Sequence, residues 1–223
     1  MFERVHQVLK AENVASADFQ LQFAVYRNYG EGTGPLLEHS PWGSEPNDLR
    51  AFVSQISCRG GQGNEAVEIG LFHANRVHRQ LEDANGEQLN QVILIGDMPP
   101  NTPEEVTAKR APWTSYWPQS DYAEATHAAI ELKKLKENDI PVHAFYVHPN
   151  AKAAFTQIAE YTNPDDPICE MLDIESTRGA EALTAVVTKS VFDSFSGRLG
   201  KAAVTNLKEA YDKMYPEFGY VSS

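Results

Sequence analysis

Gln91-Val92-Ile93-Leu94-Ile95-Gly96-Asp97-Met98-Pro99-Pro100 is the stretch on which the fold turns. Four consecutive aliphatic residues, Val92 to Ile95, suit a strand covered on both faces, the pattern of a parallel sheet with helices on each side. Gly96 and Asp97 fall where that strand ends, and Pro99 and Pro100 prevent it from continuing. Ligands of open parallel sheets bind beyond the carboxyl ends of the strands, so Asp97 is a candidate ligand. An Asp at a strand end is also an ordinary turn residue.

Upstream, Met1 to about Asn13 predicts a helix with Phe2, Val5, Val8 and Leu9 on one stripe. Phe19 to Tyr26 alternates apolar and polar residues with the period of a strand. A glycine-rich turn, Arg27-Asn28-Tyr29-Gly30-Glu31-Gly32-Thr33-Gly34, leads to a second strand near Leu36 to His39, and Pro41 suits it to a sheet edge. Arg59-Gly60-Gly61-Gln62-Gly63-Asn64-Glu65 then feeds a helix running to about Leu81. This loop follows a helix and lacks the Lys-Ser/Thr of a phosphate-binding loop, so a tight turn is its simplest reading.

Downstream, Thr102-Pro103-Glu104-Glu105 carries the residues of a helix start: a Thr cap, Pro at the first position and Glu at the third. Ala111 to Pro118 reads as an irregular aromatic loop, either folded back as packing, the favoured reading, or presenting an exposed contact surface. Asp121 to Lys136 predicts a long helix with Ala125, Ala129, Leu132 and Leu135 inward, and Ile140 to Val147 a second buried strand. A helix through Tyr161, a short strand at Glu170 to Ile174 and two closing helices complete the chain. Such alternation implies an α/β three-layer sandwich with a mainly parallel sheet and one antiparallel edge strand.

With 223 residues, 42% of them hydrophobic, the chain is expected to form one domain over 1–223. A formal net charge of −12 argues against nucleic acid or an anionic membrane surface as the partner. Cys58 and Cys169 make neither a disulfide framework nor a metal quartet. No apolar run approaches a membrane span and no signal peptide is seen, so a soluble, cytoplasmic chain is expected.

In order and spacing these segments resemble a von Willebrand factor type A (vWA) domain of the intracellular branch. Ala24 to Gly30 is similar to that branch's Tyr-Arg-Asp segment. Gly60 to Ala66 resembles its Gly-Gly-Gly-Asp-x-Pro-Glu-Ala loop, and Leu94 to Pro100 its Leu-Ile-x-Asp-Ala-Pro segment. The resemblance covers residues 1 to about 195, leaving 196–223 as a helical extension. It implies a Rossmann-like sandwich and a protein-binding role without turnover.

Three loops of that family hold Mg²⁺: an Asp-x-Ser-x-Ser motif after the first strand, a Thr or Asp in the second loop and an Asp in the third. Here Asp97 alone matches, Gln62 falls near the second-loop position, and the chain starts on the helix that follows the absent motif. The resemblance therefore implies a degenerate, incomplete metal site, with Mg²⁺ bound only if an Asp-x-Ser-x-Ser segment is supplied. It also implies a sheet lacking its central first strand, and hence a tendency to self-association. The expected partner face comprises Asn28, Thr33, Gly60, Gly61, Gln62, Asn64, Glu65, Asp97, Met98 and Asn101. The competing reading is a hydrolase or transferase using Asp97 with His143 or His148, although the chain has no nucleophile elbow, Walker loop or paired-ligand histidine motif.

Overall fold

The aliphatic run does form a strand, and its neighbours follow from it in a computed structural model that describes residues 2–14, 20–29, 35–43, 46–57 and 63–216. In chain order the elements are α1 (Phe2–Ala11), β1 (Ala24–Tyr26), β2 (Leu37–His39), α2 (Pro46–Gln55), α3 (Val67–Asn85), β3 (Val92–Gly96) and α4 (Pro103–Arg110). They continue with α5 (Ala128–Glu137), β4 (Val142–Tyr146), α6 (Lys152–Thr162), β5 (Cys169–Met171), α7 (Thr177–Ser194), α8 (Ser196–Leu199) and α9 (Lys201–Met214). The chain is thus mixed α/β, with a parallel sheet in the order β3-β4-β5 and a separate antiparallel pair, β1-β2. No helix among the described residues is long and apolar enough to cross a membrane.

Contacts divide the chain into two compact units. One unit is residues 23–40 with 55–171; the other is 1–22, 41–54 and 172–223. In the second unit α1 packs against α7 and α9 through Val5, Val8 and Leu9, all fully buried. Facing them are the apolar stripes of α7 (Val187, Val191, Phe192) and α9 (Val204, Leu207, Tyr211). Arg4 donates to Tyr211 Oη at 3.2 Å and pairs with Glu181, while Lys189–Asp212 and Lys208–Asp193 join α7 to α9. The expected boundary near residue 195 falls between α7 and α8, which belong to this same helical unit.

In the first unit, Leu94, Val142, Ala144 and Tyr146 turn one face of the parallel sheet onto α3, α5 and α6, meeting Val67, Leu71, Leu132, Leu135, Phe155 and Ile158. Ile93 pairs with His143 and Ile95 with Phe145 on the opposite face. Leu94 alone of the aliphatic run is buried; Ile95 is 41% exposed. A second cluster gathers Tyr29, Leu36, Leu37, Ala66, Ile69, Val106, Trp117 and Tyr122, so the hairpin rests on α3, α4 and the aromatic loop. That loop divides its rings: Trp117 is buried beneath the Arg110 guanidinium, 4.1 Å away, whereas Trp113 and Tyr116 are exposed.

The strands read over Ile140 to Val147 and Glu170 to Ile174 are observed as Val142–Tyr146 and Cys169–Met171, and two further elements come out shorter because backbone groups bond elsewhere. Of the strand read over Phe19 to Tyr26, only Ala24–Tyr26 is regular, and Phe19 lies outside the described residues. The Phe23 amide donates to the Ser40 hydroxyl at 3.0 Å, which interrupts the ladder just before Pro41, a residue with no N–H. Phe23, one of the apolar residues of that alternation, is exposed. The helix read from Asp121 begins at Ala128, because Arg110 takes the carbonyls of Tyr122 and Ala123 at 2.9 Å each and the Tyr122 amide donates to the Ser120 hydroxyl. Ala125 and Ala129 are consequently exposed, while Leu132 and Leu135 are buried as the spacing predicts.

β1 and β3 share no ladder; a side chain joins them. Tyr26 Oη donates to the Ile95 carbonyl at 3.2 Å. Its ring lies against two glycines: a Cβ on Gly96 would stand 2.3 Å from the hydroxyl oxygen, and one on Gly70 3.2 Å from the ring. Gly96, read from the sequence as a strand end, is thus also the opening through which a tyrosine reaches the strand's backbone.

Candidate functional site

Three segments meet at the carboxyl end of β3. The Glu65 amide donates to the Pro99 carbonyl and the Asn101 amide to the Glu65 carbonyl, both at 3.0 Å, so the loop before α3 is stitched to the segment after β3. The third segment follows β1: Asn28 Nδ2 donates to the Asn64 carbonyl at 2.7 Å, and Asn28 Oδ1 accepts the Tyr29 amide at 2.9 Å.

The residue that binds all three together is Lys109, near the end of α4. Its ammonium donates to Asn28 Oδ1 at 3.1 Å, the Asn64 carbonyl at 2.7 Å and Asn101 Oδ1 at 2.5 Å. An ammonium has three N–H donors, and each finds an oxygen from a different segment. Around this tripod Asn101 Nδ2 donates to Glu68 Oε1 at 3.1 Å and Asn64 Nδ2 to Glu105 Oε2 at 2.8 Å. Glu105 also closes the capping box with Thr102 that the sequence predicts.

The charges respond to this enclosure. Burial raises the carboxyl of Glu65, the charge of Asp97 raises it further, and Lys109 opposes both. Burial likewise raises Glu68, against hydrogen bonds that favour its ionised form, including that from Asn101. Glu105 moves the other way, held low first by the Thr102 amide and then by Asn64 and Lys109. Burial and then the charges of Glu65 and Asp97 keep the Tyr26 phenol neutral.

The sequence-selected residues thus have distinct fates. Asn28 and Asn101 are each only 4% exposed, and their side chains turn into the tripod. Asn64, Glu65 and Met98 are half-buried, and Asp97 is exposed. Thr33, Gly60, Gly61 and Gln62 lie outside the described residues, as does Cys58; Cys169 is a free thiol. Lys109 was not singled out by sequence, because a lysine in the last turn of a helix is already explained by the helix dipole. Its only signal was three asparagines, each in a different loop of the expected face.

Of the two histidines set against Asp97, His143 is buried in β4 opposite Ile93, four residues down the strand, about 13 Å at the usual rise. His148 stands at the same sheet end as Asp97 and accepts the Asn150 amide at 3.2 Å. For a metal, the described residues offer no cluster of three or more His, Cys, Asp or Glu side chains. Asp97 with Glu65 nearby does not fit Mg²⁺, which requires near-octahedral oxygen ligation. No family model, curated protein or solved structure matches this chain.

Proposed function

We propose that the chain is a non-enzymatic protein-interaction module of the vWA type, built as a three-layer α/β/α sandwich with a degenerate metal-ion-dependent adhesion site and working in the cytoplasm. The observation that carries this reading is Asp97: an exposed carboxylate at the carboxyl end of β3, on a platform whose neighbouring loops are pinned to one another. The element succession supports it, since an antiparallel hairpin, a helix and then parallel strands alternating with helices follow the order of that family after its first strand. Asp97, Glu65 and Met98 offer a partner protein two carboxylates beside an apolar thioether. β3 ends the described parallel sheet, and its outer edge, which pairs with no strand among the described residues and gives only the Ile95 carbonyl to Tyr26, is the place for self-association through strand pairing.

The test is Asp97→Ala. Folding should be nearly unchanged, because the side chain is exposed, while capture of protein partners by the immobilised chain weakens. Equal capture by both proteins would remove Asp97 from the face. A hydrolase would instead show turnover whose pH–rate profile changes on altering Asp97 or His148.

A further inference from the structure

We infer that Lys109 is the cation that organises this face, its ammonium doing within the chain what a bound metal ion would otherwise do. The inference rests on the interaction-module reading for its functional meaning, and on geometry alone for its structural content. Asn28 Oδ1, the Asn64 carbonyl and Asn101 Oδ1 form a three-oxygen cradle contributed by segments 28–29, 64–65 and 97–101. Each of these oxygens is neutral. Collected in a half-buried place with no cation among them, they would turn the negative ends of three dipoles toward one another. The ammonium satisfies them together, and its charge also offsets the neighbouring carboxylates of Glu65 and Glu105.

Two consequences follow. The face keeps its geometry without a divalent ion, so its interactions are indifferent to chelators. With the lysine side chain cut back, the cradle accepts a small cation carrying N–H donors, such as methylammonium. A purely structural lysine, valued for its packed methylene stem, would lack the second property.

Amide hydrogen exchange at Tyr29, Glu65 and Asn101 reads the cradle, because the Tyr29 amide bonds to its Asn28 oxygen and the other two amides join the segments that carry the Asn64 and Asn101 oxygens. In Lys109→Ala all three should exchange about tenfold faster or more, the loss expected for one charge-assisted hydrogen bond. Methylammonium chloride should restore slow exchange, and tetramethylammonium chloride at the same concentration, having no N–H, should not. The wild-type chain should be unaffected by EDTA. Unchanged exchange in the variant, equal rescue by both salts, or wild-type loosening in EDTA reversed by Mg²⁺ would each overturn the inference. Should Lys109→Ala fail to fold, refolding yield in the two salts takes the place of exchange: recovery in methylammonium alone supports the cradle, and no difference rejects it. None of these measurements involves a partner, so their failure is separable from that of the interaction-module reading, which Asp97→Ala tests.

Discussion

Under the parallel sheet, Leu94, Val142, Ala144, Leu135 and Phe155 meet as apolar surfaces, whereas beyond the strands' carboxyl ends Asn28, Asn101 and Glu68, buried just as deeply, are joined by hydrogen bonds. The two regions lie within one compact unit and differ in what they ask of a residue. An apolar cluster asks for volume, and tolerates a change of shape that keeps it. A buried polar network asks for partners, and a substitution of equal size that lacks them strands the groups left behind.

The largest effect expected from this contrast is a pair of near-isosteric changes. Leu135→Met, in the apolar cluster, should cost less than about 1.5 kcal/mol. Asn101→Leu adds apolar volume yet removes an acceptor from Lys109 and a donor from Glu68, both charge-bearing, and should cost about 3 kcal/mol. Urea unfolding of the two variants beside the wild type measures the difference. Equal costs would mean that the network is not the constraint its geometry implies.

Apolar packing is blind to pH, so acid sensitivity should trace to buried polar groups. His73, on α3, stacks on His39 at 4.7 Å, and burial with the charges of His39 and Arg76 lowers its imidazole from 6.5 to about 4. Above pH 6.5 the ring is neutral in both folded and unfolded chains. Between 6.5 and about 4 the unfolded chain takes up a proton that the folded chain refuses, so stability falls as pH falls through that window. His73→Gln should flatten this limb by on the order of 2 kcal/mol. Glu65 and Glu68, raised by burial from the ordinary value of 4.5, act with the opposite sign: their contribution is present below pH 4.5 and is lost as pH rises through their folded values. Thermal unfolding of both proteins from pH 4 to 7 decides, and an unchanged acid limb in His73→Gln would assign it to other groups.

The same contrast explains what could be read from sequence. β3, β4 and the buried stripe of α1 depend on near neighbours along the chain, so the aliphatic run Val92–Ile95, the stretch Ile140–Val147 that contains β4 and the helical spacing of Val5, Val8 and Leu9 announce themselves. The cap at Thr102 is equally local. The start of α5 is not: nothing near Asp121 tells that Arg110 will take the next two carbonyls. The tripod is less local still, since Asn28, Asn64, Asn101 and Lys109 share no pattern until three loops meet. Grouping Asn28, Asn64, Glu65, Asp97 and Asn101 on one face is what the vWA resemblance implies, and their segments do meet at the end of β3. The resemblance does not tell which of them face solvent and which face a lysine.

The smallest effect asks whether the cap of α4 and the tripod are one device or two. Thr102 Oγ1 accepts the Glu105 amide at 3.2 Å, and Glu105 Oε2 accepts both the Thr102 amide and Asn64 Nδ2 at 2.8 Å. Glu105 thus belongs to both, while the Thr102 hydroxyl belongs to the cap alone. Thr102→Ala should therefore cost about 1 kcal/mol, the usual value of such a cap. Because the Thr102 amide remains to hold Glu105, and Glu105 to hold Asn64, exchange at Tyr29 and Glu65 should stay slow while the first turn of α4 frays. Should those distant amides loosen as well, the helix start would prove to be what positions Lys109, and the local and the long-range halves of the site would have to be treated as a single cooperative unit.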